Sequence, residues 1–371
     1  MLALPRKNTD MCAGLPKWLQ LRTDLLPGLL LCAALSAGAL MLDRVPWLQA
    51  HGLSALTLAI MLGFVVGNTV FPRLVDRCAP GVFYAKQYML RLGIILYGFR
   101  LTFQDMGHVG LAGVLIDALV LTTTFSVAVM LGIRVFKLER GTAMLIGIGS
   151  SICGAAAIMA AEPVLKARAE QITVAVATVV VFGTLAIFVY PLLHSLNLHW
   201  QLLDTTDFAY GMFVGSTIHE VAQVVAAGAA ISPAAADTAV IAKMVRVMML
   251  APFLIALAVY LARVKTEQVT EHAQTKAKGL LAGVTVPWFA FIFVAVAGFN
   301  SLQLLPELAI EHIAQLDTAL LAMAMAGLGL TTDIKAIRRA GLKPLMLASL
   351  LFVWLVVGGA GLNYAITAAF A

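Results

Sequence analysis

Apolar runs bounded by polar or basic residues follow one another along the chain, at Leu25–Leu42, Leu53–Phe71, Tyr84–Leu101, Val109–Ile133, Ile172–Leu193, Thr238–Leu261, Leu281–Leu302, Thr318–Thr332 and Pro344–Ala369. Most approach the roughly 20 residues that a helix needs to cross the hydrocarbon core of a bilayer. Two further stretches, Met144 to Glu162 and Phe208 to Arg246, are apolar at their flanks but carry glycine, hydroxyl and charged residues at their centres. They share a core: GIGSSICGAAAIMAAE aligns with FVGSTIHEVAQVVAAG. The pattern predicts an all-α polytopic membrane protein of about 9 to 11 transmembrane segments, two of them broken as re-entrant or discontinuous helices.

Composition narrows the class. At 61% hydrophobic and 12% charged residues over 371 positions, with a mean hydropathy of +0.94, no soluble globular class fits. Residues 1–24, mixed and basic, are expected to form a cytoplasmic N-terminal segment, and 25–371 a single transmembrane transporter domain; no short apolar core with a small-residue cleavage site marks a signal peptide. The net charge of +6 sits mostly in short loops. It therefore reports orientation in a bacterial inner membrane, with the N-terminus cytoplasmic, rather than a nucleic-acid partner. Basic patches and their gaps alternate along the chain most consistently if each broken segment enters and leaves on one face, which places Lys166 and Arg168 inside; crossing helices would place them outside. Gly98-Phe-Arg-Leu-Thr102 resembles Gly327-Leu-Gly-Leu-Thr331 in the opposite orientation, and such inverted-repeat-like elements accompany alternating access.

The broken segments carry the candidate chemistry. Polar groups are costly in lipid, so Gly149, Ser150 and Ser151 in the first, and Gly215, Ser216, Thr217 and Gln223 in the second, are read as a binding site. Half-helix N-termini there would offer free N–H groups and about half a positive charge to a small anion. The alternative is small residues for close helix packing. Lys243 and Arg246 lie three apart on one helical face, Arg246 about 12 Å along a helix starting near Thr238, and supply counter-charge; the alternative is a buried ion pair with Glu220 or Asp117. His219 and Glu220 are candidate proton carriers. Arg100 and Asp105 read as solvated charges at the outer interface.

Other chemistries find no support in the sequence. His219-Glu220 opens an HExxH pattern, but position 223 is Gln, so a zinc hydrolase is not expected. No GxSxG surrounds a serine, and the four cysteines have no paired spacing. Neither an enzyme nor a cofactor or metal is expected, and no nucleotide-binding loop suggests a pump. The expected partners are a small inorganic or organic anion and the lipid bilayer, and a homodimer remains open.

GSSICGAAAI, GSTIHEVAQVVAAG and AKMVRVMMLAP resemble the YeiH-type family of bacterial inner-membrane proteins labelled as sulfate exporters, and the similarity runs from the first span to GLGLTTDIKAIRRAGLKPL. The resemblance implies a secondary transporter of sulfate or a related oxyanion or sulfonate. It also implies distant kinship with the cation/proton antiporter and bile-acid transporter group, whose discontinuous helices cross. "Sulfate" comes from the resemblance, whereas "anion" also has support from the residues. The alternatives are an anion channel and a sodium- or proton-coupled organic anion carrier.

Overall fold

The computed structural model describes residues 17–45, 47–48, 53–200, 206–266, 287–332 and 341–370, and every regular element among them is helical. The N-terminal segment up to residue 16 and the basic residues Lys276, Lys278, Lys335, Arg338 and Arg339 lie outside the described residues. In chain order the helices are α1 (Lys17–Leu42), α2 (Ala55–Thr69), α3 (Val75–Tyr84), α4 (Leu90–Tyr97), α5 (Phe103–Arg134), α6 (Arg140–Ser151), α7 (Ala155–Leu165) and α8 (Ala169–Trp200). They continue as α9 (Asp207–Thr217), α10 (Val221–Ala229), α11 (Pro233–Met248), α12 (Leu250–Thr266), α13 (Trp288–Ser301), α14 (Glu307–Thr331) and α15 (Leu342–Phe370).

Among the described residues, six stretches are long and apolar enough to cross a membrane: Asp24–Leu42, Phe103–Arg134, Ala169–His199, Pro233–Leu261, Glu307–Thr331 and Leu342–Phe370. The sequence pattern marks further segments where the described helices are shorter or interrupted, and residues 281–286 of the one expected at Leu281–Leu302 lie outside the described residues. The expected span at Leu53–Phe71 is the 15-residue helix α2. That at Tyr84–Leu101 is one helical run from Val75 that widens at a π turn, Ala85–Met89, and ends in a tighter 3₁₀ turn, Gly98–Arg100.

The chain divides into two compact units, Met1–Thr102 with Phe293–Ile334 and Phe103–Ile292 with Lys335–Ala371. In the first, α2 and α14 pack backbone to backbone. A β-carbon at Gly63 would lie 2.4 Å from the Ala326 carbonyl, and one at Gly329 would lie 2.3 Å from that of Ile60. The GLGLT sequence is thus a close-packing surface of the kind small residues provide between membrane helices. Arg100, read from sequence as solvated, instead closes this unit: its Nε and Nη2 donate to the two Asp317 carboxylate oxygens at 3.0 and 2.5 Å, and Nη2 also reaches the Ala314 carbonyl at 2.7 Å. An arginine fork matches a carboxylate in this way because both are planar.

In the second unit, two helix pairs turn back on themselves. Gly132 and Gly147 show α6 running antiparallel to α5, the first facing Ala143 and the second Phe125 and Ala128. Along α8, however, Gly141 faces Gln171 and Gly149 faces Val179, so α6 and α8 run parallel. The intervening α7 must therefore return to the level where α6 began. An ion pair ties that base together, Arg168 donating to Glu139, whose carboxylate also accepts from Gln171 Nε2 at 2.6 Å. The Arg168 hydrogen bond, followed by that of Gln171, holds the Glu139 carboxyl below its usual range, so this tie is present near neutral pH and is lost as pH falls through that lowered value.

The second pair follows the same logic. Gly211 faces Ala235 and Thr238, and Gly215 faces Ala239 and Ala242, so α9 runs parallel to α11; Gly228, near the end of α10, faces Ala236. Hence α10 returns beside α9. Helix α8 passes both pairs in turn, with Val179 beside Gly149 of the first pair, Gly183 beside Gln223, and Tyr190 against Phe213 of the second. The two pairs therefore point toward each other along α8, and their turns meet midway.

Because α7 returns to the base of α6, the double substitution Gly141→Cys/Gln171→Cys should cross-link with a short bis-thiol reagent in membranes. Gly141→Cys/Leu193→Cys should not. The reverse outcome would mean that α6 and α7 continue across in one direction.

Candidate functional site

Each turn leaves the end of one helix and the start of another inside the second unit. A helix C-terminus exposes carbonyls with a partial negative charge, and an N-terminus exposes N–H groups with a partial positive charge. The Gly-Ser-Ser/Thr triplets were expected at N-termini. The structure reverses this: Gly149, Ser150 and Ser151 are the last residues of α6, and Gly215, Ser216 and Thr217 the last of α9. The chain groups free there are carbonyls, which attract cations.

Lys243 and Arg246 meet those carbonyls. The Lys243 ammonium donates to Ile152 O at 2.7 Å and to Ile218 O at 2.6 Å, one from each turn. Arg246 donates from Nε to Ser151 O at 2.6 Å, from Nη2 to Ser150 O at 3.0 Å, and from Nη1 to Ser216 O. Both side chains are 0% exposed. They stand about 15 to 20 Å along α11 at 1.5 Å per residue, deeper than the sequence suggested, because α11 begins at Pro233 with Ser232 as its cap. No carboxylate lies within ion-pair distance of either cation among the described residues, so the alternative of a direct pair with Glu220 or Asp117 is not what the geometry contains.

The helix starts at the same turns take the opposite charge. Glu220 precedes α10, and its Oε1 accepts the Ala155 N–H at the start of α7 at 3.2 Å. Its own N–H donates to Gln223 Oε1 at 3.0 Å. One carboxylate thus sits at two N-terminal ends, where negative charge is favoured. Gly154 makes this possible. Its φ of +66° with ψ of −136° is open only to glycine, and a β-carbon there would lie 2.4 Å from Glu220 Cγ. The sequence reading passed over Gly154, though its place between two small-residue helices is the signal that could have found it.

The remaining site residues divide by partner. The Ser151, Ser216 and Thr217 hydroxyls bond back to carbonyls of their own helices, at Ile148, Phe213 and Phe213. Ser216 Oγ also accepts from Asn363 Nδ2 of α15 at 3.0 Å, a contact the sequence gave no sign of. By contrast, Ser150 Oγ, His219 Nδ1, Gln223 Nε2 and both Asp117 carboxylate oxygens are buried without a hydrogen-bond partner. Buried polar atoms are satisfied in the great majority of cases, so this concentration around two cations calls for an explanation. The expected residues of both turns do come together. Asp105 is not among them; it lies in the first turn of α5.

Comparison with known proteins gives a consistent answer. Residues 27–348 match the family described as Conserved hypothetical protein 698. A UPF0324 membrane protein of Yersinia pestis is 59% identical over 348 residues, covering 94% of each chain, and one of Pseudomonas aeruginosa is 61% identical over 335 residues, covering 90% of this chain and 92% of its own. The UPF0324 inner membrane protein YeiH of Escherichia coli K12 is 54% identical over 341 residues, covering 92% and 94%. No solved structure matches the chain.

Since hydrogen bonds from charged groups contribute about 1.5 to 3 kcal/mol each, Lys243→Met, which leaves two buried carbonyls bare, should lower the melting temperature of the detergent-purified protein strongly. Arg246→Lys should do so as well, because an ammonium cannot reproduce three divergent N–H groups. Ser150→Ala, which removes a hydroxyl without a partner, should leave it unchanged. A Lys243→Met protein as stable as the parent would mean that the cations do not hold the turns together.

Proposed function

This chain belongs to the family described as Conserved hypothetical protein 698 and, like the UPF0324 inner membrane protein YeiH that it resembles over 92% of its length, is a multi-pass inner membrane protein, and we propose that it is a secondary transporter of a small anion of the sulfate and sulfonate class, coupled to protons. The observation that carries this reading is the meeting of two turned-back helix pairs at two fully buried cations. An ammonium has three donors and a guanidinium five. Lys243 spends two of its donors and Arg246 three on carbonyls. The others, with the free Ser150 hydroxyl and the free Gln223 Nε2, are the groups that would hold an oxyanion.

In this reading Lys243, Arg246, Ser150 and Gln223 contact the anion. Gly149, Ser151, Gly215, Ser216 and Thr217 form the helix ends that fix the two cations, rather than contacting the substrate through N–H groups. Each turned-back pair acts as a re-entrant hairpin, one from each membrane face, with the N-terminus cytoplasmic; the loop charges support that orientation. Irregular backbone at membrane depth is tolerated only where it is buried in protein or faces a watery cavity, which suits a substrate path with alternating access.

Purified protein in proteoliposomes should take up labelled sulfate or methanesulfonate saturably, with uptake driven by a proton gradient. Ser150→Ala should raise the half-saturating concentration about tenfold, the loss of one hydrogen bond to a charged group, while leaving the melting temperature in place. Flux that never saturates and ignores the proton gradient would identify a channel. No flux of any oxyanion would end the anion reading.

A further inference from the structure

Among the described residues, Asp117 is a fully buried acidic group of the second unit that the site described above leaves unused. It is 0% exposed, and neither carboxylate oxygen has a hydrogen-bond partner. Its level along α5 follows from the neighbouring contacts. Gly113, four residues earlier, faces Met212 of α9, while Phe125 and Ala128, further on, face Gly147 of α6. Asp117 therefore lies at about the level of the helix end at Thr217, and about one helical turn from that at Ser151. The charged groups that act on it are Arg246 and Lys243, although neither is close enough to pair with it directly.

The helices packed most extensively against α5 are α6, α9, α11 and α15, and α12 touches it where Phe253 meets Phe125 edge-on, with Tyr260 further along that helix. Helix α6 brings only Arg140, at its far base; α9 brings Asp207 and Tyr210; α15 brings Lys343 and Tyr364 toward its two ends; α11 brings Asp237 near its start, then Lys243 and Arg246. The connection after α9 adds His219 and Glu220. Of the acids near the two cations, Glu220 is committed to the start of α7. Asp117 is the one whose oxygens are free.

Charge balance then limits what can happen when an anion arrives. With Asp117 and Glu220 ionised, Lys243 and Arg246 are neutralised as a group. A further negative charge in a low-dielectric interior is costly unless a proton accompanies it. We propose that Asp117 is the proton-binding group of this site: ionised, it balances the two cations when no anion is present, and it takes up one proton from water as a singly charged oxyanion takes its place. An O–H bond forms on the Asp117 carboxylate, the proton comes from bulk water, and no electrons move. This inference rests on the anion-transport reading and moves the coupling from His219 and Glu220 to Asp117. It also favours a monoanion, such as a sulfonate, over a dianion, because a single proton then restores neutrality.

Methanesulfonate is a suitable probe because it carries no titrating proton of its own. Calorimetry in buffers of different ionisation enthalpy should show about one proton taken up per methanesulfonate bound. Affinity should tighten about tenfold per unit fall in pH while Asp117 is ionised in the free protein. Asp117→Asn should bind with no proton uptake and no pH dependence, whereas Glu220→Gln should keep both. Infrared difference spectra of the parent protein provide a measurement that does not depend on the variant folding. Adding methanesulfonate should produce the C=O stretch of a protonated carboxylic acid, and the band should shift in protein grown on heavy-carbon aspartate. A band that follows labelled glutamate instead, binding without proton uptake, or uptake intact in Asp117→Asn would each overturn the assignment and leave the anion reading standing. A parent protein that binds neither methanesulfonate nor sulfate would overturn both.

Discussion

The second unit depends on one electrostatic fact: a helix that stops inside a protein leaves carbonyls that no water can reach. Helices α6 and α9 stop there, facing each other, and their ends carry roughly half a negative charge each. Lys243 and Arg246 answer both ends at once through five hydrogen bonds to main-chain oxygens. Either partner alone would be prohibitive, since a buried ion costs several kcal/mol even after relaxation and a bare buried carbonyl costs about 1 to 3. Together they make the helix breaks possible.

The starts of α7 and α10 complete the arrangement with the opposite sign. Glu220 brings negative charge to the N–H groups there, so cations meet carbonyl ends and a carboxylate meets N–H ends within one small region. Gly154 allows the chain to turn sharply and lets the Glu220 side chain approach. The backbone of both turns is thereby held by side chains from another segment. A site built on such turns is fixed in position while keeping donors and acceptors to spare, a combination suited to a ligand that must bind and leave.

The first unit is held by different means. Its helices α2 and α14 approach until backbone touches backbone, which only glycine at Gly63 and Gly329 permits. Its ionic contact, Arg100 with Asp317, closes a helix end with a bidentate pair. Lys86 of the π turn donates to Thr331 Oγ1 at 3.4 Å, tying the irregular helix to the end of α14. Dispersion contacts and polar ties of this kind suit a membrane protein, where apolar side chains gain little by leaving lipid for one another.

The sequence by itself determined the helical class and the membrane setting, because long apolar runs in a chain with 12% charged residues have no other stable environment. It also marked where the helices break, since Gly-Ser-Ser and Gly-Ser-Thr amid apolar residues interrupt an otherwise uniform pattern. It picked out Lys243 and Arg246 by their cost in that setting. Tertiary structure alone decided what those residues meet. Which end of a half-helix a Gly-Ser pair occupies depends on the direction the chain takes after it, and local spacing does not encode that direction. The partners of both cations are main-chain carbonyls, which every residue carries and no sequence pattern distinguishes. Asp117 and Asn363 reach the same region from helices far away in the chain, placed there by packing, which no local signal records.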